Sequence, residues 1–336
     1  MKTRFSFIGL ALILVTSVAM GQSKVGTSTA TFLGIGIGPD AIGMGSAVVA
    51  SKTGASSLYW NPGAAGSKPR NEVYFTKTNW LVGSKYDWLG ATIAVTDASV
   101  IGLQFGRLSY GEEEVVTELD EDGTGERWDA SDLFVGVTYS HALTEQFTLG
   151  GTAKYIRSQI WHETASAFAL DLGLLYNFQW NGLKLGMSVS NFGQDMRYEG
   201  KDLFKSYDDD PSSSGNNGKI STALKTEYWP LPIFFRVGLA MDVYRDDMNS
   251  LIIAADAQRP SNHNESVNIG TEYGFNDNVF LRVGMKNLFR GESQEGLAFG
   301  VGIAYPIFGY NLKFDVSHSQ MELFDGITVY GLSLQF

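Results

Sequence analysis

The chain has 336 residues and carries 25 Lys and Arg against 36 Asp and Glu, which gives a formal net charge of −11. This balance argues against a nucleic-acid partner, because phosphates require a basic surface. The absence of cysteine excludes disulfides, thiolate metal sites and a lipid-modified N-terminal cysteine. The 39 Gly and 43 aromatic residues (21 Phe, 15 Tyr and 7 Trp) occur without a later apolar run that could form a membrane-spanning helix. Together they favour a transmembrane β-barrel.

The N-terminus has the pattern of a secretory signal peptide. Lys2 and Arg4 precede an apolar run over residues 5–20, and Ala19 and Gly21 are the small residues expected before a cleavage site. The alternative is an uncleaved membrane anchor, for which the apolar run is short. The sequence therefore predicts a signal peptide over residues 1–21 and export to the outer membrane of the cell.

Apolar and small or polar residues alternate in many segments, including 183–189, 233–243, 267–275, 279–286 and 297–305. Successive strand residues point to opposite faces of a sheet, so each segment has one apolar face. A soluble β-sandwich also alternates, but its polar face is usually rich in Lys, Glu and Thr. Here Gly, Ala and isolated charges dominate that face, which is typical of a crowded barrel lumen.

Counting these segments predicts fourteen strands, an even number as in bacterial outer-membrane barrels. The even-numbered connections between them are short and belong on the periplasmic side. The two longest connections, 111–130 and 193–230, are odd-numbered and belong outside the cell. The predicted strands are 72–82, 87–96, 99–110, 131–142, 146–158, 165–178, 182–192, 231–244, 250–259, 265–275, 278–288, 295–305, 310–319 and 327–336.

The C-terminus resembles the terminal signal that the barrel-assembly machinery recognises. The last strand ends on Phe336, with Leu334 on the same face and Gly331 upstream. Any final strand alternates, so the aromatic end of the chain is what favours this interpretation. We expect contact with the assembly machinery during biogenesis, and with outer-membrane lipid afterwards.

Residues 22–71 do not have the pattern of a membrane strand. Their glycine spacing is partly that of a dinucleotide-binding loop, but no strand precedes it and Pro39 interrupts it. Small residues allow close backbone packing, as a segment folded inside a narrow barrel requires. The sequence therefore predicts an all-β fold in which a hatch over residues 22–71 lies inside a transmembrane antiparallel barrel over residues 72–336.

Two motifs in residues 38–66 resemble the N-terminal signature of the PorV/PorQ family, within the FadL-like group of fourteen-stranded outer-membrane barrels. The resemblance covers the mature chain in architecture, but its specific motifs lie only in these residues, and Asn61-Pro62-Gly63-Ala64 replaces the usual Asn-Pro-Ala-Gly. It implies a hatch on the periplasmic side of the lumen. Family members bind exported cargo or tether the surface attachment complex of type IX secretion. The motif residues here are Gly38, Ala41, Ile42, Gly43, Met44, Gly45, Tyr59, Trp60, Asn61, Pro62 and Gly63.

Charged residues form a second set of candidates, because strand parity directs them into the lumen. Buried charges must be paired or hydrated. We favour a salt-bridge ladder that holds the hatch to the wall over an ion or substrate pathway. The residues are Lys154, Asp171, Lys184, Arg236, Asp242, Asp256, Glu272, Arg282 and Lys286.

The sequence gives no sign of catalysis, a metal or another cofactor. His141, His162, His263 and His318 are scattered without the spacing of metal ligands, and no nucleophile elbow is present. The acidic stretch 112–129 partly imitates a calcium loop, but its outer positions deviate and a solvated acidic loop is favoured.

Two functions remain open from the sequence. The first is a non-catalytic scaffold or cargo-binding barrel, with type IX secretion subunits or exported cargo as partners. The alternative is a FadL-like passive transporter of hydrophobic small molecules, which needs an apolar pocket behind the hatch. Because the inward face is mostly Gly, Ala and charge, we favour the first, although Phe134, Phe234 and Phe280 also point inward.

Overall fold

The computed structural model describes residues 25–208, 210, 212, 219–291 and 293–336. The predicted signal peptide, residues 1–21, lies outside them. The described residues form one closed antiparallel barrel of fourteen strands, which confirms the predicted fold class. The strands are β1 (Glu72–Asn79), β2 (Lys85–Thr96), β3 (Ser99–Glu114), β4 (Arg127–Ala142), β5 (Phe147–Ile160), β6 (Glu163–Asn177), β7 (Lys184–Gly193), β8 (Phe234–Arg245), β9 (Asn249–Pro260), β10 (Ser266–Phe275), β11 (Val279–Leu288), β12 (Glu295–Ile307), β13 (Tyr310–Met321) and β14 (Ile327–Gln335).

The remaining elements are short. Three strands lie outside the barrel numbering, in the connection between β7 and β8: Glu199–Gly200, Phe204–Tyr207 and Ile220–Ala223. The α-helices are Pro39–Ile42 and Ser57–Trp60, and the 3-10 helices are Thr31–Gly34, Pro62–Ser67, Leu81–Gly83 and Lys201–Leu203. None of the helices in the described ranges is long and apolar enough to cross a membrane.

The barrel closes where its first and last strands pair. Strands β1 and β14 run antiparallel from the pair Glu72 and Gln335 to the pair Asn79 and Thr328. Strands β7 and β8 also pair directly, although more residues separate them than any other two consecutive strands. Closure satisfies the backbone hydrogen bonds of every strand, which a sheet surrounded by lipid requires.

The strands have two distinct faces. In β3, Gln104 is buried in the lumen, whereas Ile101 and Leu103 on the opposite face are 41% and 51% exposed. The same alternation recurs around the barrel, so that large apolar side chains cover its outer surface. Such a surface is suited to lipid and not to water.

The two ends of the barrel differ in the length of their connections. At the short-turn end the connections are 97–98, 143–146, 178–183, 246–248, 276–278 and 308–309. At the other end, here called the long-loop end, they are 80–84, 115–126, 161–162, 194–233, 261–265, 289–294 and 322–326. The sequence predicted this distribution, with short even-numbered connections at one end and the two longest connections at the other.

Several predicted strand ends were wrong. Strand β3 continues to Glu114 and β4 begins at Arg127, because the acidic residues predicted as loop extend the hairpin, with Glu112 paired to Asp129. Strand β1 ends at Asn79, since the backbone turns through a positive φ of 53° at Val82. Strand β8 begins at Phe234 and not at 231. Pro232 lies just before this strand and lacks the backbone N–H that pairing with a neighbouring strand requires.

The hatch runs along the lumen from one end to the other. At the long-loop end, Thr29 N donates to Pro230 O at 3.0 Å. At the short-turn end, Ala55 N donates to the Glu72 carboxylate at 3.0 Å. The first described residues of the hatch are thus held by the long loops, and the placement of the motif on the periplasmic side stays a prediction.

Candidate functional site in the barrel lumen

Glycines of the wall allow the hatch backbone to approach closely. An ideal Cβ placed on Gly284 would lie 2.5 Å from Met44 O, and one placed on Gly43 would lie 2.9 Å from Gly300 Cα. Gly45 itself has a φ of +61°, a conformation that side chains disfavour. The small inward residues of the wall are therefore the counterpart of the glycine-rich hatch motif.

The side chains of Tyr59 and Trp60 form hydrogen bonds with backbone carbonyls of an earlier part of the hatch. The Tyr59 hydroxyl lies 2.9 Å from both Leu33 O and Ile35 O, and the Trp60 ring nitrogen donates to Ile37 O at 3.1 Å. Burial raises the pKa of Tyr59 to about 12, so its hydroxyl keeps its proton at neutral pH. These bonds fix the end of the 3-10 helix Thr31–Gly34 and the residues that follow it in the lumen.

The turn Asn61-Pro62-Gly63 joins the hatch to the wall. The Asn61 side-chain amide donates to Val49 O and to Leu174 O, both at 2.9 Å, while its oxygen accepts from Gly63 N at 3.1 Å. The Ser140 hydroxyl donates to Gly63 O at 3.0 Å. This turn satisfies buried polar groups on both sides of the hatch–wall interface.

The remaining motif residues lie in or beside the helix Pro39–Ile42. Gly38 precedes this helix with a φ of 82°, and Ala41 and Met44 are fully buried. Ile42 packs against Ile327 and Val329 of β14. Both parts of the motif, within residues 38–45 and 59–63, are therefore buried inside the barrel.

A network of ion pairs lies at the short-turn end. Lys52 of the hatch lies 2.8 Å from Glu272 and 3.6 Å from Asp40. Arg282 lies 2.5 Å from Glu272 and 2.6 Å from Asp315, so opposite charges alternate through the network. Burial opposes ionisation of Asp40, but nearby positive charges, Lys52 foremost, outweigh it and lower its pKa. The network therefore holds the hatch to the wall with charged groups at neutral pH.

The predicted lumen charges all lie on the inner face, but they do not form a single ladder between hatch and wall. Lys154 pairs with Asp171 at 2.6 Å, and Lys286 pairs with Glu295 at 2.6 Å, both within the wall. Lys184 and Asp242 are half-buried near the short-turn end. Most of the predicted charges find partners on neighbouring strands, because side chains on one face of paired strands lie close together.

Asp256 contacts the hatch differently. Its carboxylate accepts hydrogen bonds from Val48 N at 2.6 Å and Val49 N at 2.9 Å, and it makes no ion pair with the described residues. The expectation that Asp256 belongs to a salt-bridge ladder was wrong, because two hatch N–H groups take the place of a cation. Asp256 still connects the wall to the hatch, through these hydrogen bonds.

Sequence reasoning missed four members of the ion-pair network: Asp40, Lys52, Asp315 and Lys313, whose Nζ lies 3.7 Å from Asp315. Lys313 and Asp315 alternate with Leu312, Phe314 and Val316, so strand parity could have found them. Asp40 and Lys52 belong to the hatch, which has no strand period, so no comparable signal exists there.

Two cavities lie above and below the hatch. The larger, here called the vestibule, has a volume of about 510 Å³ and opens at the long-loop end. Phe32, Trp60, Trp80, Leu108 and Phe234 supply apolar lining, beside Arg236. The smaller cavity, about 170 Å³, lies at the short-turn end and is lined by the ion-pair network. The hatch separates them.

The C-terminal residues close the barrel beside the hatch. An ideal Cβ on Gly331 would lie 2.7 Å from Pro39 Cγ, so a larger residue there would meet the hatch. Leu334 faces outward, and Phe336 donates its N–H to Asn71 O at 3.1 Å. Recognition by the assembly machinery remains a prediction.

The four histidines lie at separate places and contact different partners. His141 lies 2.8 Å from Ser99 Oγ, His162 contacts Asp202, His263 contacts Arg290, and His318 contacts Thr328. Over the described ranges, no three His, Asp or Glu side chains cluster in a way that could hold a metal ion.

Comparisons with known proteins give structural relatives only. No family model and no curated protein matches the sequence. Among solved structures, the CymD monoaromatic hydrocarbon channel matches with a TM-score of 0.54 and 11% identity over 89% of this chain and 96% of that one. The Pseudomonas putida toluene transporter TodX matches with a TM-score of 0.55 and 13% identity over 89% and 97%. A Pseudomonas aeruginosa FadL homologue matches with a TM-score of 0.52 and 9% identity over 87% and 96%.

The fold is that of the FadL-like outer-membrane barrels. At identities of 9% to 13%, the likeness concerns the fold alone. The PorV/PorQ resemblance of residues 38–66 stays a prediction.

Proposed function

We propose that this protein is an outer-membrane barrel that binds hydrophobic small molecules in its vestibule and passes them across the membrane without chemistry. The vestibule carries the proposal. It is a cavity of about 510 Å³ whose lining includes Phe32, Trp60 and Phe234, and it lies directly above the hatch. Its volume and aromatic lining are those of a small-molecule site. This is the alternative that the sequence left open. The solved structures of this fold include a monoaromatic hydrocarbon channel and a toluene transporter.

The proposed orientation follows from the two ends of the barrel. In outer-membrane barrels the short turns face the periplasm and the long loops face the outside. The vestibule then opens to the cell exterior, and the cavity of about 170 Å³ faces the periplasm. The apolar outer surface contacts lipid, while the predicted signal peptide and the terminal strand direct export and assembly.

Passage requires a rearrangement of the hatch, because the hatch lies between the two cavities. Its joints to the wall are hydrogen bonds and ion pairs, including Asp256 with Val48 and Val49 and Lys52 with Glu272. Polar contacts can be exchanged for other polar contacts or for water, so these joints suit a segment that moves. A ligand in the vestibule would directly contact Thr31, Phe32 and residues 34–36 of the hatch.

A second candidate function is the interaction role expected from the PorV/PorQ resemblance, with type IX secretion subunits or exported cargo as partners. The observation that favours it is the hairpin formed by Phe204–Tyr207 and Ile220–Ala223 in the longest loop. Phe204 is 60% exposed and Tyr207 is 52% exposed. Exposed aromatic side chains on a loop outside the cell could serve as protein contacts.

One purification distinguishes the two functions. The tagged full chain is extracted from its native outer membrane in mild detergent, and both co-purifying proteins and bound small molecules are identified by mass spectrometry. A barrel that retains a hydrophobic compound and no stoichiometric protein supports the transport function. Recovery of secretion subunits or cargo without any small molecule would contradict it and favour the interaction role.

A further inference from the structure

Arg236 is a buried cation without a counterion. Arg236 is 4% exposed, and no carboxylate of the described residues lies within 4.0 Å of its guanidinium. Its Nη1 donates to Ser190 Oγ at 3.2 Å, its Nε–H has no partner, and the Tyr59 hydroxyl is a neutral polar neighbour of the guanidinium. Buried charges in proteins are normally paired, because removing a charge from water is costly.

The nearest acidic groups are already engaged elsewhere. Asp256 accepts hydrogen bonds from Val48 N and Val49 N. Asp171 lies 2.6 Å from Lys154 Nζ and accepts from Asn191 N at 2.8 Å. Both carboxylates reduce the net positive charge around Arg236, but neither forms an ion pair with it. The guanidinium therefore keeps the capacity to bind an anion.

Aromatic rings restrict how such an anion could approach. The central carbon of the guanidinium lies 4.5 Å from the centroid of the Phe234 ring and 5.6 Å from that of Trp60. Rings over a guanidinium cover its faces and leave the edge that carries the N–H donors. That edge matches a carboxylate, which accepts two parallel hydrogen bonds from one guanidinium.

The charge of the residues that line the vestibule also favours an anionic ligand. The described residues that line it include three permanent cations, Arg236, Lys286 and Arg290, and one carboxylate, Glu295, which is paired with Lys286. The whole chain, by contrast, has a formal net charge of −11. A cationic cavity in an acidic protein favours entry of anions over cations.

We infer that the vestibule binds an aromatic monocarboxylate. Its carboxylate pairs with the free edge of Arg236, and its ring lies against Phe32, Trp60 and Phe234. This inference rests on the proposed function and narrows its ligand class from hydrophobic molecules in general to apolar molecules that carry one negative charge. Arg236 would act as the residue that discriminates the acid from a neutral molecule of the same shape.

The test compares a matched pair of probes, 2-naphthoate and its neutral amide, 2-naphthamide. Binding to the full chain, purified in detergent, is measured by isothermal titration calorimetry. A charge-assisted hydrogen-bond pair predicts that the acid binds at least about tenfold more tightly than the amide. Arg236→Gln should remove that preference, because it weakens binding of the acid far more than binding of the amide.

Two further variants complete the test. Arg290→Gln removes a cation at the rim of the vestibule and should leave most of the preference in place. Arg236→Lys keeps the charge but loses the planar pair of donors, so it should retain only part of the preference. Folding of each variant is verified by the faster migration of unheated barrel in SDS gels. If Arg236→Gln does not fold, the wild-type preference and Arg236→Lys still decide the question.

The outcomes separate the inference from the proposed function. Equal binding of acid and amide by the wild type would overturn the inference while supporting a hydrophobic site. Binding of neither probe by a folded barrel would contradict both. A preference for the acid that Arg236→Gln leaves intact would place the anion at another cation and overturn the role of Arg236.

Discussion

At the scale of single residues, Asp256 joins the wall to the hatch through two backbone N–H groups. Asp256→Ala would leave both N–H groups buried without an acceptor, at a cost of about 2 kcal/mol or more. In a heating series, we expect the temperature at which the faster-migrating folded band disappears from SDS gels to fall clearly. Asp256→Asn keeps one acceptor oxygen and should lose less. Equal losses in the two variants would contradict this role of the carboxylate.

His263 provides a test of electrostatics at the rim of the vestibule. Burial and the charge of Arg290 lower its pKa, and Arg290 Nη2 lies 2.9 Å from His263 Nδ1. The contact therefore forms with the neutral ring and is lost as the pH falls through the lowered pKa. Arg290→Gln should raise the pKa of His263 toward the ordinary value of about 6.5.

NMR titration of ring-labelled histidine, with the signal assigned through His263→Gln, measures this pKa. Arg259→Gln is the matched control, because Arg259 lies 3.1 Å from Glu265 on the same side of the barrel. A pKa that moves equally in both variants would show that Arg290 has no specific effect.

At the scale of elements, the interface between the hatch and strands β10 and β11 depends on the absence of side chains at Gly270 and Gly284. A valine at position 284 would collide with the backbone of Met44, since even a Cβ there lies 2.5 Å from its carbonyl oxygen. Gly284→Val should therefore displace the hatch while the barrel still assembles. Lys52, whose side chain is 11% exposed and paired with Glu272, would then become more accessible to trypsin.

Limited proteolysis followed by mass spectrometry measures this displacement as cleavage after Lys52. Gly296→Val is the control, because an added Cβ at Gly296 meets nothing within 4 Å. The control should stay protected at Lys52. Equal protection of both variants would mean that the hatch does not depend on contact at Gly284.

The strands could be predicted from the sequence, whereas the interior of the lumen could be predicted only in part. Alternation identified all fourteen strands, because facing lipid on one side and a crowded lumen on the other constrains every second residue. The hatch has no such period, so the contacts of Asp40 and Lys52 depend on tertiary packing. The counterion-free state of Arg236 is likewise visible only once the surrounding carboxylates are placed.

At the scale of the whole molecule, the barrel is a rigid wall around a segment that must move if molecules are to pass. The chain contains no cysteine, so an introduced pair can form only one disulfide. Leu58 in the hatch and Gly102 in β3 are suitable positions. An ideal Cβ on Gly102 lies 3.0 Å from a methyl carbon of Leu58, and replacing Leu58 with cysteine removes that methyl group.

Passage through a movable hatch can be tested by the uptake of a radiolabelled monoaromatic hydrocarbon by cells carrying Leu58→Cys/Gly102→Cys. Oxidised and reduced cells are compared, with each single-cysteine variant as a control and cells lacking the protein as the background. We expect oxidation to lower uptake to the background and reduction to restore it, while the single variants respond to neither. Uptake well above background that is equal in the oxidised and reduced double variant would contradict passage through a movable hatch, and uptake at background in the unmodified protein would contradict the proposed function itself.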